Sequence, residues 1–591
     1  MLNPTIALKD LVVIAKISEL MENTDHSVLE ISGDKLTVED IIRVGNSKPG
    51  IVMVKLSKNA EDAIRKSREF VNEAVENKLT IYGLNTGFGS QAENVISSED
   101  VALLQRYLIV SHSAGVGEPF SPELIRASML VRANTLAKGN SGIRIEVVQA
   151  LIDMINKGVV PFVPRKGSLG ASGDLAPLSH IALVMTRDPR DVHIKIEDEL
   201  AKKASSGANF NDDQRRKSLK ESGEAYFWSA EKSSWERMTG IEAMAKAGIK
   251  RIILSAKEGL ALNNGSTVSA AMAAYVVHYG ENLQRSADII AALTTESVKG
   301  FESAFYEGLH AARPHPGQIE SARRIRDYLK SSGMVTHIEQ IQNSRNVYQD
   351  FKKVQDSYSI RCIPQVHGPV IDTLKSSREM INMEINSATD NPLIIQDNNY
   401  FNKSFSGGNF HGQYISLYMD NLGTALGILG NIAERRIFKL VTRNLSEGLP
   451  GFLVSPSPDK AGLMNGAMIL QYTAAHLASE NKVFSHPASS DSIPSCEDKE
   501  DFVSMAPIAA SKALVILENS ENILAIELWC DIIALRIRMK EGLTPSDNAK
   551  KILSFFKDKV ADFDEDRVVY DEVRELKAFI HNEGLLSIIG Q

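Results

Sequence analysis

The chain has 591 residues, 43% apolar and 24% charged, the balance of a globular protein with room for a large core. Lys and Arg total 66 against 74 Asp and Glu, a net charge of −8, so it carries no basic footprint for nucleic acid. Three cysteines, Cys362, Cys496 and Cys530, are too few for a disulfide framework or a Cys-based zinc site and point to a reducing, cytoplasmic setting.

Residues 1–30 read as a short N-terminal extension, and Met1–Lys16 lacks the basic and apolar blocks of a signal peptide. The stretch from Leu29 alternates and then turns helical near Thr37, predicting a small strand followed by a helix. A second helix is expected over Ala60–Glu76. It runs into Thr80-Ile81-Tyr82-Gly83-Leu84-Asn85-Thr86-Gly87-Phe88-Gly89, whose three glycines and Asn make it a loop. A helical pattern over Ser98–Arg144 carries Ser111-His112; a histidine on such a face is ordinarily a hydrogen-bonded packing residue.

The stretch Lys166-Gly-Ser-Leu-Gly170-Ala171-Ser172-Gly173-Asp174-Leu-Ala-Pro-Leu-Ser-His180 stands apart. Its composition suits a strand-to-helix turn with Asp174 as an acidic N-cap. Its small, glycine-flanked centre can also be bent far enough for a second chemistry. Attack of the Gly173 amide nitrogen on the Ala171 carbonyl carbon closes a five-membered ring. Loss of two waters, one carrying the Ser172 oxygen, leaves an electrophilic methylidene-imidazolone. The glycine spacing is not that of a dinucleotide turn, nor is Gly-Ala-Ser-Gly a hydrolase elbow.

Residues 188–238 crowd Lys202-Lys203, Asp212-Asp213 and Gln214-Arg-Arg-Lys217 with Ser and Gly, the composition of a solvated insertion with room for one helix. The uncharged run Gly259–Gly280 contains Asn263, Asn264, Ser266, Thr267, Ser269 and His278, which predicts a buried helix and its cap, not a membrane span. Long helices are then expected over Met244–Leu262, Ser266–Ser286, Ser376–Ser387, Gln413–Arg443, Ala467–Ser479 and Ala513–Lys540, with two more in Ser546–Phe563 and Arg567–Glu583. Such helices bury one another's apolar stripes. The fold class is mainly α: a long antiparallel helical bundle with a smaller N-terminal α(+β) domain. The domains divide as 1–30 extension, 31–250 N-terminal domain with the insertion 188–238, 251–545 central bundle, and 546–591 C-terminal helices.

Gln355, Tyr358 and Arg361 lie three apart, and on a helix they would converge on one ligand. An arginine suits a carboxylate. Ser406-Gly-Gly-Asn-Phe410-His411 is a glycine loop beside an aromatic ring, and Glu497-Asp-Lys-Glu500-Asp reads as a solvated acidic cluster.

Taken together, Gly-Ser-x-Gly-Ala-Ser-Gly-Asp-Leu-Ala-Pro-Leu-Ser-His, Tyr-Gly-x-Asn-Thr-Gly-Phe-Gly and the four segments carrying Asn264, Gln355–Arg361, Phe410 and Glu500 resemble the aromatic amino acid ammonia-lyases and aminomutases over about residues 50–540. The resemblance implies an ammonia-lyase/fumarase-like architecture whose N-terminal domain carries the loop of a methylidene-imidazolone (MIO) cofactor. Ala171, Ser172 and Gly173 would form it with help from Asp174. It implies Tyr82 as catalytic base, Arg361 aided by Asn264 on the substrate carboxylate, Gln355 and Tyr358 orienting amine and ring, and Phe410 packing beside the ring. No metal is implied. A homotetramer with shared active sites is.

Ser111-His112 and Glu500 resemble the histidine-specific members, since an imidazole has a donor and an acceptor nitrogen that a histidine and a carboxylate can satisfy. The expected reaction is elimination of ammonia from L-histidine to trans-urocanate. Lys499 and Phe502 depart from the histidine-specific pattern. They keep open a lyase or 2,3-aminomutase for tyrosine or phenylalanine; a non-catalytic helical scaffold is the remaining alternative.

Overall fold

The computed structural model describes residues 27–191, 196–454, 462–562 and 564–590; the first 26 residues of the expected extension lie outside them. Two compact units emerge, each assembled from three separate stretches: 1–167, 174–268 and 385–410 in the first, and 168–173, 269–384 and 411–591 in the second.

In the first unit, the strands Ser27–Ile31 and Val52–Leu56 pair in parallel around the helix Val38–Asn46. Thr37 and Asp40 close a capping box on that helix, which satisfies two backbone donors at once. The helix Pro122–Ala137 is buried along nearly its whole length. The expected continuous pattern over 98–144 is instead broken into Val101–His112, a strand Val116–Pro119 and Pro122–Ala137, because Gly115, Gly117 and Pro119 fall between them. Segment 385–410, which the periodicity groups with the bundle, belongs here. Asn386 bonds the backbone of Leu36 through both amide atoms, and Ile394 donates to Asn140 O.

The expected solvated insertion is a packed substructure. Its helices Ile196–Ser205 and Asp212–Ser222 precede a hairpin, Glu224–Ser229 with Ser234–Thr239, that pairs with Val159–Pro161 to make a three-stranded sheet. Ion pairs hold it, among them Arg251–Glu197 at 2.6 Å and Arg106–Glu221 at 2.8 Å, both arginines buried. Their partners are tens of residues away, so the charge pattern looks solvated when read locally.

The second unit is built on the helices Ile363–Glu384, Gln413–Val441, Met468–Phe484, Ala506–Lys540 and the helix Thr267–Ser297 from Ser269 onward, a mainly α bundle as expected. Ala506–Lys540 is buried on all sides for most of its length, the mark of a core helix. Pairings such as Gly423 with Ile516, Gly430 with Ile523 and Arg436 with Glu527 rise together in number, so this helix runs parallel to Gln413–Val441. Met468–Phe484 runs antiparallel to both, as Asn481–Ser520 and Gln471–Glu434 show. The direction of return thus comes from intervening helices.

Charge is buried at the centre of this unit. Asp288 accepts from His367 Nδ1 at 2.8 Å and Ser321 Oγ at 2.7 Å, and Arg436 forks onto Glu527, with Nη2 to Oε2 at 2.9 Å. Thr294 Oγ1 lies 2.8 Å from both Glu527 Oε1 and Asp531 Oδ2. One hydroxyl proton cannot fully satisfy two carboxylates. Glu527 is the arginine's partner, and burial together with the Glu527 charge pushes the Asp531 pKa well above the usual carboxylate range, favouring its neutral form. Asp531→Asn, which imitates the neutral form, is expected to change unfolding stability by less than about 1 kcal/mol. Arg436→Met, which strands Glu527, is expected to cost about 3–5 kcal/mol; denaturant midpoints distinguish the two.

Candidate functional site

The loop that carries Ala171-Ser172-Gly173 is shaped by residues with left-handed backbone: φ is +84° at Gly170, +48° at Ser172 and +77° at Gly173. Glycine reaches these angles without penalty, but at Ser172 the conformation costs about 1–2 kcal/mol. The surroundings hold it there. Ser168 Oγ donates to Gly173 O at 3.1 Å, Met505 N donates to Leu169 O at 3.0 Å, and Ala171 packs on Val503 and Met505. A Cβ at Gly170 would strike Ser504 Oγ.

The Gly173 amide makes a long bond of 3.3 Å back to Gly170 O. Ser172 Oγ donates to Glu500 Oε1 at 2.8 Å. A side-chain-free residue 173, a weakly engaged amide and a held serine hydroxyl are the features a ring precursor requires, so these residues fit the expected cofactor.

Glu500 is no solvated acid. It closes a two-way backbone bridge with Ser495 (3.0 and 3.3 Å), and its Oε2 accepts from Ser495 Oγ at 3.0 Å. Between them Cys496, Glu497 and Asp498 are three successive non-glycine residues in the left-handed region, φ +52°, +52° and +63°. Such strain persists where surrounding structure enforces it. Lys499 points to solvent, and Phe502 stacks on His411, ring centroids 6.1 Å apart.

Tyr82 lies in the expected loop. Its hydroxyl accepts from Gly89 N at 3.4 Å and its ring meets Phe88 edge-on. Asn85 gives the loop its shape, accepting from Ile81 N at 3.1 Å and donating to Leu79 O at 3.0 Å. His112 ends the helix Val101–His112, with Nδ1 3.0 Å from Ser111 Oγ. Asn264 caps the helix Glu258–Asn263.

Gln355, Tyr358 and Arg361 do not share a helix: the helical turn spans only Tyr358–Arg361, with Gln355 ahead of it. Arg361 stacks over the Tyr358 ring at 4.6 Å and donates from Nε to Asp356 O at 3.0 Å. Tyr82, His112, Asp174, Asn264 and Phe410 fall in the first unit; Ala171–Gly173, Gln355, Tyr358, Arg361 and Glu500 fall in the second. Among the described residues no cluster of three or more His, Cys, Asp or Glu is arranged for a metal ion.

Over residues 36–558 the chain matches the family model of the aromatic amino acid lyases. The chain belongs to that family. It is 42% identical to the histidine ammonia-lyase of Alkaliphilus oremlandii, covering 95% of this chain and 98% of that protein. It is 44% identical to the one from Caldanaerobacter subterraneus subsp. tengcongensis, covering 92% and 94%. Among solved structures it is similar to histidine ammonia-lyase from Trypanosoma cruzi (TM-score 0.79, 33% identity, 95% of each chain). It is also similar to tyrosine aminomutase from Streptomyces globisporus (TM-score 0.81, 33% identity, 95% and 98%). The lyase fold and carbon–nitrogen lyase chemistry expected from the motifs therefore hold.

Four contributors to this lyase's local geometry escape a sequence reading: Ser495, Lys257, Asp390 and His180. The last sits inside the longest motif without an evident task. Its Nε2 accepts the Gly115 N–H at 3.1 Å, fixing the turn that follows His112. Burial lowers its pKa from 6.5 to about 4. The folded chain thus takes up this proton less readily than the unfolded chain, so stability is lost as pH falls from about 6.5 toward 4. The loss attributable to this residue is on the order of 3 kcal/mol. His180→Gln should flatten that acid limb in pH-dependent denaturant melts.

Proposed function

We propose that the chain removes ammonia from L-histidine to give trans-urocanate, using an MIO group formed from Ala171, Ser172 and Gly173. The observation that carries this reading is the 2.8 Å contact between Ser172 Oγ and Glu500. It joins the hydroxyl that ring formation would consume to the carboxylate expected to recognise an imidazole. The extent of likeness to histidine ammonia-lyases supports the same substrate.

Such a ring would supply an electrophilic carbon able to make the substrate's amine a better leaving group. The chain's own residues do the rest. Tyr82 takes the β-proton as general base. Arg361, with its planar guanidinium, holds the carboxylate. Gln355 and Tyr358 orient amine and ring, Asn264 binds the substrate, Phe410 packs beside the ring, and Asp174 assists the cyclisation that makes the group.

His112 and Glu500 bind the two imidazole nitrogens; a phenyl ring would leave both groups unpaired, which is the basis for rejecting it. Ring formation would take away the Ser172 hydroxyl that now donates to Glu500 Oε1, leaving that oxygen to accept from an imidazole N–H.

A homotetramer with shared sites in the cytoplasm completes the reading. Its support is the family resemblance together with large apolar side chains left exposed on two bundle helices: Tyr414, Leu417 and Ile428 on one, Ile469, Tyr472 and Val483 on the other. No helix among the described residues is long and apolar enough to cross a membrane.

A second reading, 2,3-aminomutase action, is favoured by the likeness to tyrosine aminomutase and by Lys499 and Phe502. Incubation with histidine, tyrosine and phenylalanine separately should yield urocanate and free ammonia from histidine alone. A β-amino acid, or turnover of only the other two, refutes the assignment. Wild-type intact mass should fall two waters below that of the sequence, and Ser172→Ala should retain the full mass and lose turnover. Tyr82→Phe should lower kcat by about 10²–10⁴ at unchanged mass.

A further inference from the structure

The side-chain amide of Asn264 can take only one orientation. Its nitrogen lies 3.1 Å from Asp390 Oδ1 and 3.0 Å from the carbonyl oxygen of Asn391. Both of those oxygens only accept, so both amide N–H groups point to them. Asp390 is itself immobilised: Oδ2 takes Lys257 Nζ at 2.8 Å, and Oδ1 also takes the Asn391 N–H at 2.7 Å. The Lys257 and Asp390 side chains are completely buried and Asn264 is 2% exposed. Turning the amide over would set its oxygen against two other acceptors.

The other end of the amide is then the carbonyl oxygen. Asn264 Oδ1 is buried and has no hydrogen-bond partner among the described residues, and a buried acceptor left so is costly until a donor is supplied. A carboxylate cannot supply one, because its oxygens only accept. An amino group can.

Resting on the reading of an amino acid substrate, we propose that Asp390, held by Lys257, is a positioning residue that fixes Asn264 with its carbonyl oxygen free, and that Asn264 accepts a hydrogen bond from the substrate's α-amino group. The assignment reverses the sense expected from the family resemblance, in which Asn264 aids Arg361 on the carboxylate.

Two probes separate the alternatives: histidinol, which keeps the amine and lacks the carboxylate, and imidazolepropionate, which keeps the carboxylate and lacks the amine. Calorimetric titration of Asn264→Leu should show histidinol binding weakened about 10- to 100-fold, with imidazolepropionate within about twofold of wild type. Asp390→Asn lets residue 390 offer an N–H and Asn264 turn over. It should weaken histidinol about tenfold and leave imidazolepropionate equal or tighter. This milder variant carries the test if Asn264→Leu does not fold, as judged by near-UV circular dichroism.

Loss confined to imidazolepropionate, or equal loss of both probes in a folded variant, overturns the inference. Should the wild type release no urocanate and bind neither probe, the histidine reading fails separately. Phenylalaninol with 3-phenylpropionate, then tyrosinol with its matching acid, must then show the same split. Absence of the split in every pair overturns the positioning role as well.

Discussion

At Gly265 the first unit has no room for a side chain, and the segments that matter are anchored there. Its φ is +140°, and an added Cβ would collide with Thr389 O and with Arg132 Nη1. Into this space Asp174 sends two bonds: its N–H donates to Gly265 O at 2.7 Å, and its carboxylate accepts from Val268 N at 2.8 Å. The second bond caps the start of the helix Thr267–Ser297, satisfying a donor that a helix N-terminus otherwise leaves open. Asp174 directly follows Gly173, and Asn264 directly precedes Gly265. One crossing therefore fixes Asp174, the residue after the ring-forming tripeptide, and Gly265, the residue after Asn264.

The cation beneath that crossing shows how the chain tolerates buried charge. Arg132 donates to Thr389 O and Ala261 O, and burial brings its pKa down to about 10 despite the carboxylates of Asp390 and Asp174. It remains charged at neutral pH. The second unit follows the same rule with Asp288, His367, Arg436 and Glu527, where each charge is met by a partner from another helix. Such pairs contribute little net stability, since desolvation offsets their attraction. Their consequence is register. A one-turn slip of Ala506–Lys540 along Gln413–Val441 would leave Glu527 without its guanidinium and Arg436 in an apolar core, a far larger penalty than any loss of apolar contact there.

Legibility from sequence follows the range of the interactions. The helix start at Thr37 is local, its capping box three residues wide, and the sequence shows it; Asp174 is legible as an acid ahead of a helix, but its carboxylate makes no cap bond to Leu175–Met185 and accepts instead from Val268 N, 94 residues on. The long bundle helices are equally plain in their apolar patterns. The break over Ala247–Lys257 is not, because the segment stays rich in helix-forming residues while Ile252 pairs with Met185 and Thr186, more than sixty residues earlier. The insertion looked solvated because Glu197 and Glu221 find Arg251 and Arg106 only in the fold. Among the site residues, Ala171, Ser172, Gly173, Asp174, Tyr82 and Glu500 stand in long motifs. Glu500 was visible as a residue and invisible as a geometry: nothing in Cys-Glu-Asp announces three left-handed residues. Asp390 had a faint signal, as the acid in Thr-Asp-Asn-Pro, but its link to Asn264 spans 126 residues.

These distances along the chain bear on how the polar sense of the site is set. A hydrogen-bonding side chain taken alone is ambiguous: an amide offers two donors at one end and an acceptor at the other, and a carboxylate accepts from whatever donor is near. Neighbours remove the ambiguity by occupying one face. For Asn264 the neighbours are Asp390 and Asn391, which consume the donors. For Glu500 they are Ser495, which occupies one oxygen, and Ser172, whose hydroxyl holds the other until ring formation would consume it. What remains for a ligand is decided by the partners already in place. Residues identified by type can be read from motifs, whereas the polarity they present has to be read from the partners already bound to them.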